Sequence, residues 1–342
     1  IILLFMNSNI ANYRLLLLFI SIIFLSAISM YFSILKTPVS CKNCNFIIYN
    51  GESAFNIANR LDTLGFIEQP YVFNLATKFL FMDKSIKPGH YNLSKINNIG
   101  QLINYFNTSG DNYKSITIPE GWRMDQIADR LEFYKLINRQ VFDSLCYDIN
   151  FITSLGVGKI NNLEGYLFPE TYFFPIQKDE QKILKMMIGE FKRNINHKGL
   201  DLEKNNFSIH EIVTLASIIQ AEAGSEDEMS KISSVFNNRL NKKWKLAADP
   251  TVKYIISNKD RMLYPKDFKI DNPYNTYEYK GLPPGPINNP GFLAINATLN
   301  PDSTEYLYFV LKSIDSREHI FNVNEREHEK ARKKYLKSKN KK

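Results

Sequence analysis

The sequence predicts an α+β protein with three parts: a single N-terminal transmembrane helix, small α/β modules, and a larger α+β region. Three observations carry that prediction. Residues 15–35 form an uncharged apolar run. A strand–glycine–helix pattern then occurs twice, at an offset of 70 residues. Beyond about residue 150, amphipathic helical stretches alternate with an aromatic segment, a Pro/Gly/Asn/Tyr-rich segment and a closing strand. With 342 residues, 44% of them hydrophobic, the chain has material for two or three cores.

Arg14 and Lys36 bracket the apolar run Leu15–Leu35. At about 1.5 Å per residue it spans roughly 30 Å, the hydrocarbon thickness of a bilayer. A signal peptide is the competing reading. Ser26, Ala27 and Ser29 are small, but apolar residues continue to Leu35, which favours a retained anchor. Residues 1–14 carry Arg14 and no acid, so they are expected in the cytoplasm, with everything after Lys36 outside the membrane. Met6 is a candidate translation start.

The formal charge is +8, and residues 326–342 hold nine Lys/Arg against Glu327 and Glu329, or +7 of it. This basic C-terminal tail reads as a solvated, frayed helix end, and the near-neutral remainder points to no nucleic-acid partner. Cys41 and Cys44, just outside the expected anchor, are spaced for a local disulfide. Cys146 alone supplies no second ligand pair for zinc. No metal or cofactor is expected.

In the repeat, Phe46–Gly51 followed by Ile57-Ala58 and Arg60-Leu61 answers Ile116–Gly121 followed by Ile127-Ala128 and Arg130-Leu131. Each copy reads as a strand, a glycine turn and an amphipathic helix. Downstream, Leu163–Tyr172 is an aromatic segment containing Glu164 and Glu170, and a helix is expected over Glu180–His197. Ser208 and Glu211 form a capping box before an apolar stripe of Ile212, Leu215, Ala216, Ile219 and Ala223, with Gly224 placed to end that helix. Ser225 and Glu228 repeat the capping pattern before Ile232, Val235, Phe236 and Leu240. Asp249–Gly291 reads as a long loop, unusual unless it serves a purpose. Tyr306–Leu311 and His319–Phe321 have strand character.

Glu222 stands at the corner between the two capped helices. On a wheel it lies about 20° from Leu215, beside the apolar stripe. Partial desolvation there favours a protonated carboxyl, the state a general acid needs for glycosidic bond cleavage. The same position also suits a plain helix-end residue, and the residues alone leave both readings open. Glu164 and Glu170 are plausible partners that are as readily structural.

The ordered set Leu215–Ala223, Val235–Leu240, Asp249–Thr251, Tyr274–Tyr277 and Gly281–Pro286 resembles the endolytic murein transglycosylase family, also called YceG-like. Leu163–Tyr172 and Ile118–Gly121 fit it too, and the likeness covers roughly residues 45–335. Residues 45–112 resemble a LysM-type glycan-binding module. Residues 113–335 form the expected catalytic region, opening with the second strand–glycine–helix module at 113–150.

The resemblance implies non-hydrolytic cleavage of peptidoglycan glycan strands to 1,6-anhydro ends, with Glu222 as catalytic acid/base. The family often carries two glutamates here, of which the second is catalytic. Gln220 takes the first position in this chain. Glu164, Asp249, Asn275 and Tyr277 are the expected substrate-positioning residues. The resemblance further implies a bacterial inner-membrane protein, catalytic outside the cytoplasm, that associates with peptidoglycan synthases. A hydrolytic muramidase and a non-cutting, membrane-tethered glycan-binding scaffold are the competing readings.

Overall fold

The computed structural model describes residues 19–22, 25–26, 29, 32–40, 44–49, 51–108, 113–176, 178–197, 200, 207–259 and 261–339. It is an α+β structure of two compact units, Ile1–Ser115 and Ile116–Lys342.

In the first unit, β1 (Asn45–Ile48) pairs antiparallel with β2 (Gly89–Asn92), setting Phe46 opposite Tyr91. Between them run α1 (Ala54–Thr63) and α2 (Pro70–Phe79), and α3 (Ile99–Asn107) follows. Helix α1 starts where Ser53 Oγ accepts the N–H of Asn56 at 3.2 Å, and α3 where Asn98 Oδ1 accepts that of Gln101 at 2.9 Å. Ile57, Ala58 and Leu61 recur at helical spacing and turn α1 into a core with Phe46, Phe73, Tyr91 and Phe106. Ile34 and Leu35 also pack on it.

About half of the expected span Leu15–Leu35 lies outside the described residues; those of its residues that are described are helical. Among the described residues no helix is long and apolar enough to cross a membrane. Cys44 is disulfide-bonded, and Cys41 lies outside the described residues.

Strand β3 (Tyr113–Thr117) leads into the second unit and pairs with β4 (Thr171–Pro175). Between them lie α4 (Met124–Phe133), α5 (Arg139–Tyr147) and α6 (Ile149–Ser154). Then come α7 (Glu180–His197), α8 (Ile209–Glu222), α9 (Met229–Asn241), α10 (Asp249–Ile255) and α11 (Phe292–Leu299). The hairpin β5 (Tyr308–Leu311)–β6 (His319–Asn322) and α12 (Glu325–Lys339) close the chain.

Helix α8 is the spine of this unit. Its capping box forms as expected: Ser208 Oγ accepts from Glu211 N at 3.3 Å and Glu211 Oε2 from Ser208 N at 2.8 Å. Its burial differs from the expected single stripe, because every residue from Ile212 to Ile219 is buried. Helices α9 and α11 pack against it, and the segment before α11 is hydrogen-bonded along its side. A helix enclosed all round has no polar face to show. Gly165 lets the aromatic segment reach it: its φ is +87°, and a Cβ there would stand 2.4 Å from Pro286 and 2.9 Å from Val213.

Four further expectations change. The helix ends at Glu222 through an extended Ala223 (φ −68°, ψ 125°), not through a glycine C-cap. Gly224 instead admits the β5–β6 loop, since a Cβ on it would sit 1.8 Å from the Arg317 carbonyl oxygen. Ser225 makes no side-chain cap bond; residues 226–228 form a 3₁₀ turn that sends Glu228 to His319, with 2.8 Å between Oε2 and Nδ1. Asp249–Gly291 is not all loop, because Pro250 at the first turn starts α10. The tail is not frayed over Glu325–Lys339. Ala331 is buried, His328 stacks on Tyr308 at 5.1 Å, and Ser338 Oγ accepts from Ile314 N.

Candidate active site

A pocket of about 370 Å³ opens in the second unit where α8 ends. Its walls are Gly121, Arg123, Ala221, Glu222, Asp249, Pro250, Lys253, Tyr254, Lys259, Ile287 and Asn288. Three sequence-distant segments meet here because backbone groups stitch them together. Ile287 N donates to Ser217 Oγ at 3.0 Å, and Asn288 Nδ2 donates to the Ser217 carbonyl at 2.8 Å. Gly291 N donates to Gln220 Oε1 at 3.0 Å, and Gly121 N to the Asn289 carbonyl at 2.9 Å. Gln220 also hydrogen-bonds the Glu120 carboxyl. An amide can accept from one neighbour and donate to the other, whereas an ionised glutamate at this position could only accept.

Glu222 presents its carboxyl at the pocket wall. Although the residue as a whole is only partly buried, desolvation of the carboxyl raises its pKa to about 8. The Asp249 charge pushes the same way, opposed by the Arg239 cation and by the backbone N–H of Asp249, which bonds the carboxylate. Arg239, on α9, is itself held in place: Nε donates to the Leu307 carbonyl at 2.8 Å, and the guanidinium also bonds the Leu246 carbonyl. Desolvation lowers its pKa, which still leaves it a cation at neutral pH. Glu222 therefore holds its proton at neutral pH, beside an arginine able to stabilise the carboxylate once that proton has left.

Asp249 stands in the first turn of α10. Thr251 Oγ1 lies 2.9 Å from Thr276 Oγ1, and Ala248 N donates to Thr276 Oγ1 at 3.0 Å. This threonine clasp joins Asp249–Thr251 to Tyr274–Tyr277, and through it the Tyr277 hydroxyl donates to Asp249 Oδ1 at 2.5 Å. Tyr277 packs its ring on Phe268 at 4.7 Å.

The other expected residues lie inside the protein. Asn275 is fully buried, donating to the carbonyls of Phe268 and Ile270 and accepting from Tyr277 N, so it folds the loop that carries Tyr277. Glu164 is 4% exposed. Its Oε1 accepts from Met124 N at 2.9 Å and Asn289 Nδ2 at 3.1 Å, and the Tyr254 hydroxyl reaches Oε2 at 3.4 Å. Burial raises its pKa to about 7, despite the Met124 N–H. It supports the pocket from behind, through Tyr254 in the wall. Glu170, at the start of β4, is exposed.

Sequence reasoning did not single out Arg239, Asn288, Tyr254 or the cations Arg123, Lys253 and Lys259. Arg239 sits in a quoted motif, and Arg123, Lys253, Tyr254 and Asn288 lie two or three residues past one, which was the available signal; Lys259 carries none. Among the described residues no group of three or more His, Cys, Asp or Glu could hold a metal.

The architecture is that of an α+β domain with a proton-holding glutamate in the wall of a polar pocket. The sequence model of the YceG-like family matches residues 46–334, and the chain belongs to that family. An endolytic murein transglycosylase of Bacillus subtilis (strain 168) is 37% identical over 315 residues, covering 87% of this chain and 86% of the relative. An endolytic murein transglycosylase of Streptococcus pneumoniae is 26% identical over 327 residues, and the chain spans 59% of its length. The crystal structure of a yceG-like protein from Listeria monocytogenes superposes with a TM-score of 0.58 at 31% identity, covering 84% of this chain and 97% of that one.

Proposed function

We propose that this protein is a lytic transglycosylase that cuts peptidoglycan glycan strands endolytically, with Glu222 as its acid/base. The observation that carries this reading is a carboxyl held protonated to about pH 8 at a pocket wall. The two relatives named endolytic murein transglycosylases support the substrate class.

Glu222 gives its proton to the leaving oxygen of N-acetylglucosamine as the bond to the muramyl anomeric carbon breaks. The resulting carboxylate, steadied by Arg239, takes the proton of the muramyl 6-hydroxyl. That oxygen then closes on the anomeric carbon. No water is consumed, and the product ends in a 1,6-anhydro ring. Asp249 and Tyr277 position the sugar beside Glu222 in this scheme.

One observation favours a second reading, hydrolysis. Asp249 is a second carboxylate on the same wall, the equipment of an ordinary glycosidase. Mass analysis of the products separates the two: anhydro ends are lighter than reducing ends by one water.

Residues 15–35 are read as the membrane anchor, on their length, apolarity and flanking charge. The catalytic unit then lies outside the cytoplasm, and fractionation of cells tests this. The first unit is read as a LysM-like glycan-binding module. Its β–α–α–β order and an open groove of about 400 Å³ lined by Phe55, Asn59, Tyr71 and Lys78 support that, and sedimentation with insoluble peptidoglycan tests it. Association with peptidoglycan synthases completes the reading; co-purification from membranes would retain them.

A further inference from the structure

Carboxylates and cations share the wall of this pocket: Glu222 and Asp249 line it together with Arg123, Lys253, Tyr254 and Lys259. The cations are built into the wall to different degrees. Arg123 Nε lies 3.0 Å from Asp125 Oδ1, and Lys259 Nζ lies 3.3 Å from Asp125 Oδ2, so one carboxylate serves two cations. Lys259 also stands over the Tyr254 ring at 5.3 Å, a ring whose hydroxyl is held by Glu164. Lys253 is four residues beyond Asp249 on α10, which puts both on one helix face, and it has no counter-ion among the described residues. Against these three cations stand two carboxylates, Asp125 and Asp249, while Glu222 holds its proton, so the wall carries an excess of one positive charge. An excess of positive charge in a concave wall attracts an anion.

We propose that Arg123, Lys253 and Lys259 form a carboxylate-binding wall that seats the acid-bearing sugar of the substrate beside Glu222. The inference rests on the peptidoglycan reading above. Of the two sugars in such a strand only the muramyl residue carries a carboxyl. It is free on the lactyl ether of a bare strand, or replaced by the carboxylates of an attached peptide. N-acetylglucosamine offers hydroxyls and an amide, which gain nothing from three cations. The wall therefore seats the muramyl residue against these cations and makes its negative charge a determinant of binding.

The test is strand affinity, measured in the Glu222→Gln protein so that no turnover intervenes. Three soluble strand preparations are compared: peptide-bearing, stripped of peptides to free the lactyl carboxylates, and chemically amidated to remove every carboxylate. Affinity for charged strands is expected to exceed that for amidated ones and to fall with added salt. Lys253→Ala should weaken binding of charged strands about fivefold, and Lys253→Glu about tenfold or more, while Lys253→Arg restores it. Amidated strands should bind all four proteins alike. Preference for charge on peptide-bearing strands alone assigns the peptide carboxylates, and preference on stripped strands alone assigns the lactyl group. Equal effects of Lys253→Glu on charged and amidated strands, or no effect on either, would overturn the proposal. Product formation by the unsubstituted protein separately reports the reading beneath it.

Discussion

At the scale of single residues, Glu222 must keep a proton at neutral pH and release it to a sugar oxygen. Burial does the first; Arg239 and the Asp249 N–H favour the second. This arrangement has a stability signature with a definite sign. In the unfolded chain a glutamate ionises near pH 4.3, whereas folded Glu222 keeps its proton to about pH 8. Between those values the folded state binds more protons, so stability falls as pH rises. Glu222→Gln escapes that loss. Its melting temperature should match the parent at pH 4 and exceed it by roughly 5–15 °C at pH 8. A difference independent of pH would contradict the burial argument.

Glu164 makes a different prediction. Glu164→Ala strands the Met124 N–H and the Asn289 amide in a buried space and should cost about 2–4 kcal/mol in denaturant unfolding. A cost near zero would mean those bonds do not support the pocket.

Among the elements, the two expected caps separate cleanly. Ser208→Ala removes an observed cap bond and should cost about 1 kcal/mol. Ser225→Ala removes none and should stay within about 0.5 kcal/mol. Equal costs would show that the 3₁₀ turn after α8 is misplaced. The contrast also marks how far the sequence could be read. Patterns settled by neighbours along the chain were legible: the strand–glycine–helix repeat, the span of α7, the Ser208–Glu211 box and the end of α8 at the Glu222 corner. Features settled by distant segments were not. Glu228 has the spacing of a capping glutamate, but His319, far along the chain, takes its carboxylate. Asn275 and Asp249 both belong to polar motifs, and nothing local says that one turns inward to hold a loop while the other faces a pocket. Gly224 looked like a helix terminator because the approach of Arg317 is invisible in one dimension.

Across the whole molecule, every residue of the Glu222 pocket belongs to the second unit. A shortened chain of residues 113–342 should therefore keep the product type and a turnover within about threefold of the parent on soluble strands, since the chemical step draws on groups at the reacting centre. If the first unit binds glycan, its removal raises KM and leaves kcat. A shortened chain that folds but makes a different product would refute this division of labour.

The central claim is that one glutamate cuts the strand without water, and mass spectrometry of strands digested by the parent and by Glu222→Gln tests it most directly. The parent should release fragments lacking one water at the muramyl end, and Glu222→Gln should release none. Reducing ends from the parent, or anhydro ends at an undiminished rate from Glu222→Gln, would contradict it.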